Sequence, residues 1–319
     1  VADLSQSPIF LTPVFQNRIW GGTALKDAFS YNIPSETTGV CWAVSAHPNG
    51  QSIVASGKFQ GKTLGQLWEK HRELFGELEE NAFPLLTKIL DVNKNLSVQV
   101  NPDDEYANQH ENGELGKTGG WYIIDCKKGA EIIFGHNAST KDELANMIAE
   151  GKWNELLRRV KIQPGDFFYV PSGTIHALCE GTLVLETQQS TDTTYKVYDY
   201  DRRADRSNQR ELHLKKAIEV TKIPHKADKV EPSRIEIPNL IITTFVETEY
   251  FSVYKWEVKG EAGLIQEQPF LILSVIRGEG TLQHEDSTYT ITKGSHFILP
   301  ADTGEFVLSG EVDLIVSHI

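Results

Sequence analysis

One stretch of this sequence has the spacing needed to aim a histidine at chemistry. Gly165-Asp-Phe-Phe-Tyr-Val-Pro171 is a glycine turn, an apolar strand and a proline exit, and it continues as Ser-Gly-Thr-Ile-His176. In this G-x5-P-x-G-x2-H pattern the glycine and proline turn the chain tightly, so that the imidazole of His176 points inward to where a divalent metal can sit. A lone histidine in a strand is more often a satisfied polar group, and the full spacing is what argues otherwise. Gln99 and Asn101 lie two residues apart in a strand-like run, which puts both on one face. Three lysines are the other candidates. Lys88 stands among apolar residues, Lys117 follows Gly116 in a loop, and Lys196 is the third. If they share one pocket, they lower one another's pKa, the usual route to a reactive amine. The bland readings are a snorkelling side chain for Lys88 and a solvated charge for Lys117. Asp103 and Asp104, after Pro102, read as a turn with surface charge. His47, His110 and His296 read as solvated or structural. Asp199 and Asp201 are a weak candidate for an acid–base pair.

Strand-like runs must position these groups. Residues 96–100, 121–124, 131–134, 167–170 and 183–187 are rich in β-branched and aromatic residues and are bounded by Gly, Pro, Asn or Asp. The last third repeats the style at residues 250–258, 270–276, 288–292, 296–299 and 312–317. Helices interrupt the first part. Thr63 with Gln66 and Thr140 with Glu143 are capping boxes, and each opens an apolar stripe at helical spacing: Leu64, Leu67, Trp68, His71, Leu74 and Phe75 in the first, Leu144, Met147 and Ile148 in the second. Gly76 can end the first helix, and a third is expected over residues 212–220. The proline-containing stretch 223–239 reads as a linker.

The glycine-strand-proline segment has an echo. Residues 294–300 read Gly-Ser-His-Phe-Ile-Leu-Pro, but the continuation Ala-Asp-Thr-Gly-Glu-Phe has no histidine at the matching place. Two copies imply two jelly-roll barrels, of which only the first carries a site. The expected fold is therefore mainly β, with two barrels and a helical subregion attached to the first. The division falls into residues 1–225, with the site, and residues 226–319, without metal ligands.

Composition narrows the function. The chain has 319 residues, 39% hydrophobic and 24% charged, with a formal charge of −13. A chain this acidic repels phosphate backbones, so nucleic acid is not an expected partner, although a few buried cations can still make a positive pocket. No apolar run approaches the roughly 20 residues that span a bilayer, so no membrane partner is expected. The first ten residues lack the basic start and apolar stretch of a signal peptide, and the three cysteines have no metal-ligand spacing. The expected location is the cytoplasm, as a monomer or homodimer.

The histidine motif is that of the cupins, and further segments carry a closer resemblance. These are Arg18-Ile-Trp20-Gly-Gly22, Phe83-Pro-Leu-Leu-Thr-Lys88-Ile-Leu-Asp91, Leu96-Ser97-Val-Gln99-Val, Asn112-Gly-Glu-Leu-Gly-Lys117-Thr, residues 164–176, Asp192-Thr-Thr-Tyr-Lys196-Val-Tyr-Asp-Tyr-Asp-Arg202 and the tail Ile315-Val-Ser-His-Ile319. Together they resemble the short bacterial type I mannose-6-phosphate isomerases. The resemblance implies interconversion of mannose 6-phosphate and fructose 6-phosphate, with a zinc ion held by Gln, His, Glu and His. Carried over residue by residue, the ligands fall on Gln99, Asn101, Gly119 and His176, so two of the four positions carry no zinc ligand. The family's glutamate in Gly-Glu-Cys-Trp is Val40, and its active-site arginine is Lys196, which keeps the charge but loses the bidentate fork. Trp20, Ser97, Lys88 and Lys117 match substrate-pocket positions, and Lys88, Lys117 and Lys196 are the candidate catalytic groups. These departures imply impaired isomerase activity and weak or absent zinc binding. The alternatives are a non-catalytic sugar-phosphate binder or a pocket repurposed or engineered for metal-independent lysine chemistry, enlarged at Gly119, Gly120 and Val40. Asp103 or Glu186 could replace a lost ligand.

Overall fold

The two glycines that open the repeated segment share one backbone conformation. Gly165 and Gly294 both have φ of 94°, a left-handed value that a side chain would strain. Each turn feeds a strand, Phe167–Val170 and His296–Pro300. The two strands belong to different sheets of a computed structural model that describes residues 7–202 and 211–319. The architecture is mainly β, as expected.

The first part of the chain builds two sheets. One has six strands in the order Phe167–Val170, Gly119–Cys126, Thr182–Gln189, Leu85–Val92, Thr38–Val44 and Val14–Gly22. The other has five, in the order Tyr195–Tyr198, Val98–Val100, His176–Leu178, Glu131–His136 and Leu157–Lys161. A core containing Leu86, Val92, Ile123, Ile132, Leu178 and Val184 joins the two sheets. The third sheet has nine strands and holds most of the chain after residue 232. It also takes in Ile9–Thr12, which pairs with His296–Pro300, and Ile53–Val54. The aromatic rings of Phe75, Phe83 and Phe270 meet between the third sheet and the helical subregion, within one apolar cluster.

The helix signals hold with small changes. Thr63 caps Leu64–Lys70 with both halves of its box in place. His71 then leaves helical geometry, and the rest of the stripe forms a separate 3-10 turn, Arg72–Phe75, ended by Gly76 at φ 68°. Thr140 caps Lys141–Ala149, but Glu143 reaches back to the backbone N–H of Ser139 rather than Thr140. The third helix is Leu214–Val220. Ala24–Phe29, Asp104–His110 and Trp153–Leu156 are further helices, each too short for an apolar stripe to reveal. The stretch expected to be linker is corrected at its end. Ser233–Ile237 forms a strand that turns at Pro238 and Asn239 into Leu240–Glu247.

Candidate functional site

Period-2 alternation sets the site. In the six-stranded sheet Trp42 pairs with Lys88, Lys88 with Glu186 and Glu186 with Trp121. Directly paired residues of antiparallel strands project to the same face, so these four make one row across the sheet. In the five-stranded sheet Lys196 pairs with Gln99 and Gln99 with His176, which makes a second row. Both rows line one cavity of about 260 Å³. Its wall is completed by Arg18, Trp20 and Val40 from neighbouring strands and by Ser97, Lys117, Asp192 and Thr194 from connecting segments. The structure thus brings together Trp20, Lys88, Ser97, Gln99, Lys117, His176 and Lys196.

Charged side chains of both signs line the cavity. Among the described residues the wall carries four cations, Arg18, Lys88, Lys117 and Lys196, and two carboxylates, Glu186 and Asp192, in an otherwise acidic protein. Lys88 is buried with its Nζ 3.9 Å from Asp192 Oδ1 and 4.8 Å from the centre of the Trp42 ring. Burial, with repulsion from Lys117, pulls its pKa from 10.5 down to about 8 against the attraction of Glu186 and Asp192. Burial also acts to raise the pKa of Asp192, but Lys88 and Lys117 outweigh it and hold the carboxyl below its ordinary range.

His176 is neutral. Burial lowers its pKa to about 4, with Lys117 adding to the effect. Its Nδ1–H donates to the carbonyl of Thr174 at 2.8 Å, which leaves Nε2 as the acceptor of the ring. Trp121 packs edge-on against it at 5.3 Å, and the indole N–H of Trp121 donates to Glu186 Oε1 at 3.1 Å.

The two positions without zinc ligands behave differently. Asn101 is buried and its amide meets the Thr194 hydroxyl at 2.9 Å, while Gln99 Oε1 meets the same hydroxyl at 2.8 Å. One hydroxyl proton cannot serve two carbonyl oxygens, so one of the amides must turn its NH2 toward Thr194. The Gln99 amide also donates to Ser97 Oγ at 2.8 Å. Gly119 leaves room: a Cβ there would lie 3.5 Å from Gln188 Cβ and from Glu186 Oε1, which is ordinary contact. Gly120 does not enlarge the pocket as expected, because a Cβ there would lie 2.6 Å from the Phe167 ring and the residue is not in the cavity wall.

This donor set does not fit zinc. Among the described residues it offers one imidazole, two amides tied to a shared hydroxyl, and two carboxylates, Glu186 held by an indole and Asp192 beside Lys88. Among the described residues no three His, Cys, Asp or Glu side chains gather where a metal could be held. Asp103 and Asp104 are engaged elsewhere. Asp103 caps Asp104–His110, and Asp104 accepts from Gly116 N and Gln189 Nε2. Asp199 is paired with Arg202. His47 and His296 are buried, and His110 stacks on Tyr106. The polar and aromatic residues that sequence reasoning missed as parts of the wall are Arg18, Trp42, Trp121, Asp192 and Thr194. Arg18 and Trp42 share the inward alternation of Trp20 and Val40, a signal that was available.

A charged cavity between the sheets of a β barrel, joined to a second barrel, defines a double-cupin protein with a polar site in its first half. The comparisons with known proteins agree. The family model of the type I phosphomannose isomerase catalytic domain matches residues 9–119, and that of the mannose-6-phosphate isomerase cupin domain matches residues 241–319. The chain is 58% identical over 316 residues to the mannose-6-phosphate isomerase ManA of Bacillus subtilis, covering 99% of this chain and 100% of that protein. It is 48% identical to the mannose-6-phosphate isomerase of Streptococcus mutans, covering 98% of each. The crystal structure of the mannose 6-phosphate isomerase from Bacillus subtilis superposes with a TM-score of 0.97 at 59% identity, covering 98% of this chain and 100% of that one. A phosphomannose isomerase variant from Salmonella typhimurium shares the fold, with a TM-score of 0.81 at 15% identity. The chain belongs to the type I mannose-6-phosphate isomerase family.

Proposed function

We propose that this chain keeps the family's sugar-phosphate pocket while zinc-dependent isomerisation of mannose 6-phosphate and fructose 6-phosphate is impaired. The observation that carries this reading is the cavity itself, where among the described residues three lysines, Lys88, Lys117 and Lys196, line a space with one imidazole and no carboxylate at position 119. A phosphate monoester carries close to two negative charges at neutral pH, which is the kind of ligand that clustered lysines attract. Lys88, Lys117 and Lys196 supply the charge, and the cavity walls of Trp20 and Ser97 contact the sugar. A volume of about 260 Å³ suits one small ligand. Without zinc, nothing in the pocket carries the +2 charge that polarises a sugar carbonyl in a zinc isomerase. The expected setting is the cytoplasm, and no helix among the described residues is long and apolar enough to cross a membrane.

The test is a coupled assay for fructose 6-phosphate formation, run with excess zinc and with chelator, beside calorimetric titration of mannose 6-phosphate. Binding without zinc-dependent turnover supports the reading. Fast zinc-dependent turnover overturns it.

A second reading rests on Lys88. An amine whose pKa is near 8 is partly neutral at neutral pH, and a neutral amine adds to an aldehyde. Borohydride reduction in the presence of a sugar-phosphate aldehyde, followed by peptide mapping, would find an adduct at Lys88. An unmodified Lys88 removes this reading and leaves binding.

A further inference from the structure

Among the described residues the strand Ser233–Ile237 is the outermost strand of the nine-stranded sheet and pairs on one side, with Leu240–Glu247. All five of its residues are exposed, Ile235 at 58% and Ile237 at 45%. Its register is Ser233 with Thr244, Ile235 with Ile242 and Ile237 with Leu240. Leu240 is buried in the core of the second barrel and Ile242 packs against that core. Ile235 and Ile237 therefore continue the core-facing stripe of the sheet, and among the described residues both stay about half exposed. An uncovered apolar edge of this kind is a template for another strand.

Backbone parity says which groups are open. Ile237 and Leu240 flank a two-residue turn, so they form the hydrogen-bonded pair that closes it, and bonding alternates from there. Residues 233, 235 and 237 turn their N–H and C=O groups inward, and residues 234 and 236 turn theirs outward. Positions 232 and 238 are also outward, and both are proline, with no N–H to offer. The prolines leave a window with two open donors, at Arg234 and Glu236.

We propose that this strand pairs antiparallel with the same strand of a second copy of the chain, about a two-fold axis at Ile235. In that register Arg234 of each copy lies opposite the partner's Glu236, and the two residues exchange both backbone hydrogen bonds. The two proline positions fall opposite each other, so no donor is wasted. The neighbouring registers that keep the same parity put the axis at 234 or at 236. They set Arg234 against itself or Glu236 against itself, which destabilises a cross-strand pair. Charge thus selects one register. Within one chain Arg234 and Glu236 form an exposed pair at 2.8 Å, and in the dimer each gains a partner across the axis. The pairing uses up both open edges, so it closes as a dimer and does not propagate. Five residues a side make a small interface, and the dimer dissociates on dilution.

The test combines crosslinking with sedimentation of the full chain. At the axis two Ile235 residues form a non-hydrogen-bonded pair with Cα atoms about 4.5 Å apart, within disulfide range. Under mild oxidant Ile235→Cys should give a covalent dimer quickly, whereas Ser233→Cys, which faces the partner's Ile237, should not. Glu236→Pro removes an outward N–H without touching the hairpin bonds, and should abolish the dimer. Arg234→Glu and Glu236→Arg should each weaken it about tenfold, and the two together should restore it. A chain that stays monomeric from micromolar to millimolar concentration overturns the proposal. So does equal crosslinking of the two cysteine variants, or a dimer that survives Glu236→Pro. Circular dichroism of each variant separates lost pairing from lost folding.

Discussion

The two barrels begin from the same device and end with opposite interiors. Gly165 and Gly294 make the same turn, and each leads through an apolar strand to a proline. In the first barrel the inward rows hold Lys88, Glu186, Gln99, His176 and Lys196 around a cavity. In the second, Leu273, Val275, Leu282, Phe297, Phe306 and Leu314 close the space as an apolar core. The first keeps a charged amine away from water, which shows in the lowered pKa of Lys88, whereas the buried His296 of the second is neutral. The difference teaches that a barrel scaffold fixes where side chains point, while the inward residues alone decide whether the interior stabilises or binds.

The sharpest break of this contrast rebuilds the metal site. Asn101→His with Gly119→Glu adds an imidazole and an anionic ligand on a backbone that has room for a Cβ at 119. Loss of even an indirect support of a metal ligand costs about 10–100-fold in affinity, so gaining two direct ligands should raise zinc affinity by several orders of magnitude. Metal analysis after dialysis against a weak chelator should give about one zinc per chain in the variant and none in the unaltered chain. Stoichiometric zinc in the unaltered chain would defeat the argument from the donor set.

The second comparison sets packing against charge. Phe297→Ala should cost about 3–5 kcal/mol in denaturant-monitored stability, because Phe297 is fully buried in the second barrel. It should leave sugar-phosphate affinity unchanged. Lys88→Met should do the reverse. It keeps much of the stem volume and removes a buried ammonium, so stability should hold or rise, while affinity for the phosphate ester falls about 10–100-fold, the worth of a charged hydrogen bond.

The barrels' outlines could be read from the sequence, and so could much of the site. Glycine turns, β-branched runs and capping boxes are local signals, and they placed the strands near Phe167–Val170 and His296–Pro300 and the helices after Thr63 and Thr140. Alternation put Gln99 and Asn101 on one face. It could not show that Thr194, 93 residues beyond Asn101, ties the two amides together, since that contact comes from tertiary folding. Nor could local composition tell that Gly120 is filled by Phe167 from another strand, or that a proline-flanked stretch after Ile223 contains an edge strand. Prolines are read as linker signals, and here two of them bound a short strand instead.

A pH series sharpens the contrast further, because it separates binding from stability. Lys88 falls from 10.5 to about 8 on folding, so between those values the unfolded chain holds a proton that the native chain has lost. Stability contributed by this group therefore rises with pH from about 8 to 10.5, by about 3 kcal/mol. Affinity for a phosphate ester moves the other way, weakening as Lys88 loses its charge above pH 8. Lys88→Met should flatten both curves. The second barrel holds His296, which burial keeps neutral down to about pH 3, and it should add nothing over the same range.

The smallest effect belongs to Thr194. Its hydroxyl meets Gln99 and Asn101, and in Thr194→Val the buried Asn101 amide and the half-buried Gln99 amide lose that partner. The loss should cost about 1–3 kcal/mol, which is the penalty for a buried polar group left unpaired. In the zinc-loaded Asn101→His, Gly119→Glu variant the same substitution should cost less. There the metal takes over the Gln99 oxygen, and position 101 no longer carries an amide. A thermal melt of the four proteins forms a double-mutant cycle, and a nonzero coupling between Thr194 and the rebuilt pair is the expected result. Strict additivity would mean that the hydroxyl does not stand in for the missing ligands, and that the first barrel tolerates its polar row for reasons of packing alone.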